Sequence, residues 1–590
     1  MTATATRSNG SNGAHATSKF DAVVIGAGVA GLYQLFRLRE QGLNVRAVDA
    51  GSSVGGTWYW NRYPGARFDS EGHTYQYLFS EDLYKGWSWS ERFPGQPEIE
   101  RWLNYVADRL DLKKDIQFET TVKSAHFDEA TQRWQVTTDK GEVIDTQFLI
   151  TCCGMLSAPH VSFPGQETFK GKLFHTARWP KGPIELAGKR VGVVGNGATG
   201  IQVIQSIAGE VGHLKVFIRT PQYIIPMKNP KWDASDAEAY KSKFKFLTER
   251  LPKTFTGFEF DFEHAWADLT PQQRRQVVED CWNDGSLKLW VSSFAELFFD
   301  EAVNAEITEF VRAKMRERIK DPKLCEQLIP TNYGFGTHRV PLESNFLEAF
   351  HRPNVEIVSV KDNPIARITP EGIQTADGTV HEFDVIILAT GFDAGTGALT
   401  RIDIRGRDGR SLKEDWGRDI RTTMGLQVHG YPNLFTTAVP LAPSAALCNM
   451  TTCLQQQVEW IDDCIKYMRG NNLSVIEPSR DIEDQWVAHH DETANATLIA
   501  KTNSWYLGSN VEGKPRRVLS YCGGVGTYRQ KCDEVAASGY RASPCSRTMP
   551  STSQTWEENN EHELQCGSRC DSRRRRDVES ARPRRRCDGD

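Results

Sequence analysis

Residues 169–180 read FKGKLFHTARWP, and their position in the chain decides the fold. They lie between two glycine-rich runs, Gly26-Ala27-Gly28-Val29-Ala30-Gly31 upstream and Gly195-Asn196-Gly197-Ala198-Thr199-Gly200 downstream. Each run follows a short apolar segment (22–25 and 189–194) and precedes a helical pattern (32–41 and 201–208). Glycines in such a turn let backbone N–H groups approach a pyrophosphate at a helix N-terminus. A lone G-x-G-x-x-G is weak, but strand, loop and helix in that order make a strong signal. The spacing therefore predicts an α/β protein with two Rossmann-like dinucleotide-binding domains, and residues 169–180 lie where the two cofactors meet.

The strand after each loop says which cofactor. In the first unit, residues 45–48 end at Asp49, about twenty residues past the loop, where a carboxylate can accept a ribose hydroxyl. Gly26, Gly28, Gly31 and Asp49 are the candidate binding residues there. In the second unit, residues 214–218 end at Arg219, where an NADH site would carry an acid. A guanidinium pairs with a 2′-phosphate, so this unit is read as binding NADPH, with Thr220 adding a hydroxyl. Gly195, Gly197, Ala198, Thr199 and Gly200 form its phosphate loop.

The rest of the composition narrows the class. A net charge of −5 over 590 residues points to neither nucleic acid nor an anionic membrane. No uncharged apolar run reaches the ~18 residues of a membrane span. The thirteen cysteines include no C-x-x-C, so neither a disulfide scaffold nor a dithiol redox site is indicated, and a reducing cytoplasm is expected. No metal site is predicted. Residues 227–334 lose the α/β rhythm. Thr270-Pro271 is a helix start and 301–319 a long amphipathic helix, so this stretch is read as a helical insertion covering the site.

Two motifs carry a family resemblance. Phe169, Gly171, His175, Trp179 and Pro180 fit F-x-G-x-x-x-H-x-x-x-W-P. Gly55, Gly56, Trp58, Tyr63, Pro64, Gly65 and Asp69 fit G-G-x-W-x-x-x-x-Y-P-G-x-x-x-D. Flanked by both glycine loops, these resemble the flavin-dependent (type I) Baeyer–Villiger monooxygenases over about residues 20–540. Within that family GFGTHRVPLE (334–343) and PLAPSAALCNMTTC (440–453) are most similar to the acetone and methyl-ketone monooxygenases. The resemblance implies FAD and NADPH as cofactors, and a ketone and O2 as substrates. The product it implies is an ester or lactone, formed through a C4a-peroxyflavin. It implies FAD contacts from Gly56, Thr57, Trp58, Asp69, Tyr75 and Val122, and NADPH contacts from His338 and Trp505. By the same resemblance Arg339, Asp69 and His175 would take the catalytic roles, with Arg339 beside the flavin and Asp69 holding it. His338 stands where the family commonly has Lys, which puts that contact in doubt. Leu441, Ala442 and Pro443 would line the substrate pocket. An N- or S-oxygenating flavin monooxygenase shares both loops, but its linker normally lacks the terminal Trp-Pro. A monomer or small homo-oligomer is expected.

The domain reading is as follows. Residues 1–18 are a disordered lead-in. Residues 19–158 and 383–540 form the FAD-binding domain, and 159–226 and 335–382 the NADPH-binding domain around the insertion 227–334. Residues 541–590 are a disordered tail. Family members end soon after the counterpart of Gly539-Tyr540 with something like Gly-Phe-Ala. Codons for that ending, read one base along, give Ala542-Ser543-Pro544-Cys545, so the tail is read as a frameshift product. The rival reading of its arginines is a nuclear-localisation or nucleic-acid patch.

Overall fold

The computed structural model describes residues 18–160 and 162–541; the lead-in up to residue 17 and the tail from 542 lie outside the described residues. Two parallel-cored sheets carry the chain. The first has eight strands, in the order Asp403–Arg405, Val122–Asp128, Arg133–Thr138, Val143–Thr151, Ser18–Ile25, Val45–Val48, Ile116–Gln117, with Leu434–Thr436 also paired to Val143–Thr151. Apolar alternation in 122–151 makes the antiparallel part, and the continuous run Ala22–Ile25, fully flanked by parallel neighbours, the buried centre. The second sheet is all parallel: Val355–Ser359, His213–Ile218, Arg190–Val194, Val385–Leu388, Lys172–His175.

Helix Val29–Glu40 follows the first glycine loop and Ala198–Ile207 the second, each beginning three residues before the sequence pattern placed it. The hydrophobic signal starts late because the first helical turn is spent on loop residues.

One expectation needs correcting. Val385–Leu388 was assigned to the returning FAD domain, yet it pairs with Arg190–Val194 and Lys172–His175, so the second NADPH segment runs past Leu388. An apolar four-residue run fits the middle of either sheet, and only pairing decides. Residues 335–341 open the second NADPH segment without forming a strand. They form a turn, and only Leu342–Glu343 pairs, with Ile225–Pro226.

Between these segments the insertion is helical, with Pro271–Asp284 and Glu301–Arg318 its longest members. Thr270 caps the former in a reciprocal capping box with Gln273, as its Thr-Pro start suggested. Insertion residues such as Trp282, Phe294, Val311 and Leu328 share one core with Val193 and Val216 of the second sheet and Ile204 of the helix Ala198–Ile207. The insertion is thereby packed onto the NADPH domain by burial of its apolar face. No helix of the described residues is long and apolar enough to cross a membrane. Cys448 and Cys453 face each other with Cα atoms 7.0 Å apart, and other described cysteines are free thiols.

Near the C-terminus the helix Arg480–Asn495 buries His490 completely. Its Nε2–H donates to the Val518 carbonyl at 2.7 Å, and burial pushes its pKa down to about 4. Unfolded histidine titrates near 6.5, so the unfolded chain takes up the proton first. Stability from this site is complete above that pH and is lost as pH falls toward 4, by up to about 3 kcal/mol. His490→Gln keeps a donor for Val518 without a titrating ring. Thermal unfolding between pH 7 and 4.5 should show a shallower fall of Tm with acid in this variant than in the parent.

Candidate active site

Both helix N-termini open onto one space. Gly28 and Gly197 are the N-caps and neither helix has a side-chain cap, so the first N–H groups remain available to an anion. A Cβ on Gly56 would lie 2.9 Å from the Gly28 Cα, so the 55–58 turn can rest on the first loop only because both positions are glycine. A Cβ on Gly197 would meet nothing within 4 Å, which leaves room for a phosphate. The shared cavity is about 1840 Å³, larger than the ~300–1,000 Å³ of a single drug-sized site. Its wall includes Asp49 beside the first loop and Arg219 and Thr220 beside the second.

Asp49 is buried, and its two oxygens accept the Ala27 and Gly51 N–H groups, both at 2.7 Å. Further along the wall Trp58 Nε1–H donates to the Tyr75 hydroxyl at 3.1 Å, and Tyr75 stacks on Phe68 with centroids 4.2 Å apart. This aromatic corner leads to Asp69. Arg339 donates from Nη2 to Asp69 Oδ2 at 2.8 Å and from Nη1 to the Ala445 carbonyl at 3.1 Å. Its guanidinium also lies over the Trp290 ring, 5.4 Å from the centroid, and Trp290 is itself held by Nε1–H donation to the Gly336 carbonyl at 3.0 Å. Burial pushes the Asp69 carboxyl up, with Arg339 pulling it back; at Arg339 burial works against the charge, and Asp69 together with Tyr506 overcomes it and keeps that guanidinium charged. The result is a fixed cation inside a largely apolar cleft.

Polar atoms on the cavity wall lack partners. Asp69 Oδ1, Asn196 Nδ2, His338 Nε2 and Asn510 Oδ1 are buried without a hydrogen bond from the protein. Buried polar groups are rarely left so, and four on one wall mark surfaces shaped for a polar ligand. The open glycine loops, the aromatic corner and these atoms fit two dinucleotides, one a flavin. Arg219 is exposed on the wall, free of any ion pair among the described residues, and so is available to an anion. His338 stacks on Tyr333, centroids 3.9 Å apart, and burial pushes its pKa down to about 4. At neutral pH it adds no second positive charge.

Over 526 residues the chain is 69% identical to an acetone monooxygenase (methyl acetate-forming) of Gordonia sp. (strain TY-5), covering 89% of this chain and 99% of that one. The chain belongs to the Baeyer–Villiger monooxygenases. A family model described as flavin-binding monooxygenase-like matches residues 19–291. The solved structure of OTEMO in complex with FAD and NADP superposes with a TM-score of 0.85 at 39% identity, over 88% of this chain and 98% of that one. A phenazine N-monooxygenase of Lysobacter antibioticus is 38% identical over 88% of this chain and 96% of its own length.

The geometry of this family member gathers most sequence-derived residues on the cavity wall. Gly26, Gly28, Asp49, Gly56, Thr57, Trp58, Asp69, Tyr75, Gly195, Gly197, Ala198, Thr199, Arg219, Thr220, His338, Arg339 and Trp505 all line it. Five groups do not. Gly31 and Gly200 sit behind the loops, where a Cβ would strike the Gly26 and Gly195 carbonyls at 1.9 and 2.2 Å; they permit helix–strand packing. Val122 is core, packed with Val48 and Ile144. His175 ends the strand Lys172–His175, where its Nδ1 accepts the Ala177 N–H and its Nε2 faces the Thr390 hydroxyl at 3.3 Å. It shapes the linker rather than touching the reacting space. Leu441, Ala442 and Pro443 also miss the wall. Leu441 is buried with φ +71°, its N–H given to the Leu519 carbonyl, and the bulge instead turns Thr437, Ala438, Ala445, Leu447 and Cys448 to the cavity. Trp290 of the insertion and Tyr63 with Gln202 were missed, because contacts between distant segments leave no local pattern.

Leu441→Ala should therefore act as a core truncation, costing about 2–5 kcal/mol, seen as a lower Tm in thermal unfolding without a change in the cavity's selectivity.

Proposed function

We propose that this chain is an NADPH- and O2-dependent flavoprotein monooxygenase that converts ketones, small aliphatic or cyclic ones in particular, to esters or lactones. The observation that carries the reading is the Arg339–Asp69 pair, a half-buried, charged guanidinium held by a buried carboxylate on the wall of the cavity shared by two open dinucleotide loops. FAD bound at the first loop and reduced by NADPH supplies the oxygen chemistry with O2.

The residues divide the remaining work. Gly26, Gly28 and the N-terminus of Val29–Glu40 hold the FAD pyrophosphate, and the Trp58–Tyr75–Phe68 corner offers a flat wall for its ring. Gly195, Gly197 and the N-terminus of Ala198–Ile207 hold the NADPH pyrophosphate, with Arg219 and Thr220 for the 2′-phosphate. Arg339 stabilises negative charge developing beside a carbonyl. It is worth most in an apolar, water-poor site, where preorganised charges act at short range. Asp69, Ala445 and Trp290 keep its guanidinium from swinging away. Phe258, Leu287, Val291, Leu447 and Leu454 supply the apolar wall. The relative named as an acetone monooxygenase favours a small methyl ketone. The relative named as a phenazine N-monooxygenase keeps amine oxidation as the alternative outcome of the test. A reducing cytoplasm and a small homo-oligomer or monomer complete the reading.

The test is to supply purified enzyme with NADPH, O2 and a ketone panel, and to analyse products by gas chromatography. Ketone-stimulated NADPH consumption with ester formation is expected. Peroxide release alone, or oxidation of amines but not ketones, would overturn the proposal. Arg339→Ala should abolish ester formation while FAD remains bound by absorbance. Arg219→Ala should weaken NADPH binding by about 2–3 kcal/mol, the worth of a charge-assisted contact, and leave NADH little changed. Leu447→Ala, on the wall where Leu441 is not, should extend turnover to bulkier ketones.

A further inference from the structure

The turn Tyr63-Pro64-Gly65-Ala66-Arg67 belongs to the FAD half of the chain, and Gln202 lies in the second turn of the NADPH-side helix Ala198–Ile207. They interlock. The Tyr63 hydroxyl donates to Gln202 Oε1 at 2.9 Å, and Gln202 Nε2 donates to the Arg67 carbonyl at 2.9 Å. Because a carbonyl can only accept, Arg67 fixes which way the amide faces. Gln202 is 3% and Tyr63 8% exposed, so neither bond competes with bulk water. Between these two contacts Gly65 presses its backbone on the helix. A Cβ there would lie 2.1 Å from Ser206 Oγ and 2.5 Å from the Gln202 carbonyl, and φ is +80°. Only glycine permits that approach.

The turn is anchored in its own half as well: the Gln96 N–H donates to the Ala66 carbonyl at 2.8 Å. Two residues beyond Arg67 stands Asp69, the partner of Arg339; three residues before Gln202 stands Thr199 of the second glycine loop. Tyr63, Arg67, Thr199 and Gln202 all line the shared cavity. One side-chain amide thus ties the backbone that presents the flavin-side acid to the helix that presents the NADPH phosphates.

We propose that Gln202, Tyr63 and Gly65 form a clasp that sets the distance and angle between the two bound cofactors, which makes Gln202 and Tyr63 positioning residues for hydride transfer. In that step a hydride leaves the nicotinamide with its electron pair and reduces the flavin, and NADP+ remains. Its rate depends steeply on donor–acceptor placement, whereas each glycine loop, and the Asp49 or Arg219 that closes its second strand, belongs to its own half. Loosening the clasp therefore separates binding from transfer. The inference rests on the two-cofactor reading above.

The experiment compares the parent with Gln202→Leu and Tyr63→Phe as FAD-loaded proteins. Four readouts are taken: flavin content, flavin reduction by dithionite, NADP+ affinity by calorimetry, and single-turnover flavin reduction at saturating NADPH. Gln202→Leu should keep flavin content and dithionite reduction, shift the NADP+ Kd by no more than about twofold, and slow reduction by NADPH at least about tenfold. Tyr63→Phe, which loses one hydroxyl, should slow it less. The NADP+-induced change in the flavin absorbance band should shrink in the same order. A parental reduction rate in Gln202→Leu would overturn the clasp. So would a loss appearing wholly in the NADP+ Kd, which makes Gln202 a ligand, or one that follows flavin content, which makes it a packing residue. If Gln202→Leu does not fold, Tyr63→Phe alone decides by the same criteria. Failure of the parent itself to be reduced by NADPH would strike the two-cofactor reading instead.

Discussion

A buried charge needs a partner, and in this protein that requirement ties together segments 270 residues apart: Asp69 and Arg339. A carboxylate as buried as Asp69, left unpaired, would take up a proton or draw water in. The pair forces the aromatic loop of the FAD half, the turn that ends the insertion and the bulge carrying Ala445 to converge. Trp290 completes the enclosure, with its ring under the guanidinium and its N–H on Gly336. The insertion is therefore part of the charged site, beyond covering it.

The two nucleotide loops obey a simpler constraint. Each helix begins with N–H groups that no side chain satisfies, and each loop is glycine where a Cβ would strike carbonyl oxygens or a neighbouring loop. The same absence of side chains serves two ends. At Gly28 and Gly56 it lets backbone meet backbone, and at Gly197 it leaves open space. Function thus resides in what these positions omit, while the third glycines, Gly31 and Gly200, are spent on packing.

Much of the site was legible because it is local. A strand, a glycine loop and a helix are neighbours in sequence, so the phosphate sites and the residues closing their second strands, Asp49 and Arg219, could be placed from spacing. Arg339 and Asp69 came through motif resemblance rather than through pattern. Leu441 was misplaced for a physical reason. In a proline-rich bulge the side-chain direction follows from backbone dihedrals, here a positive φ, which the letters do not specify. His338 is similar: its identity is visible, but the stacking on Tyr333 and the burial that keep it neutral are not.

What the sequence determined by itself is the order of the elements, the two glycine loops, the charge at the end of each second strand and the helical character of 227–334, because all of these are set by short-range periodicity and backbone sterics. Only the tertiary structure decided which sheet Val385–Leu388 joins, which residues of the 437–448 bulge face the cavity, and that His175 shapes the linker. It also decided that Gln202 and Trp290 belong to the site at all. Those outcomes depend on hydrogen bonds and ring contacts between segments far apart in the chain, and no local pattern encodes a partner that lies tens to hundreds of residues away.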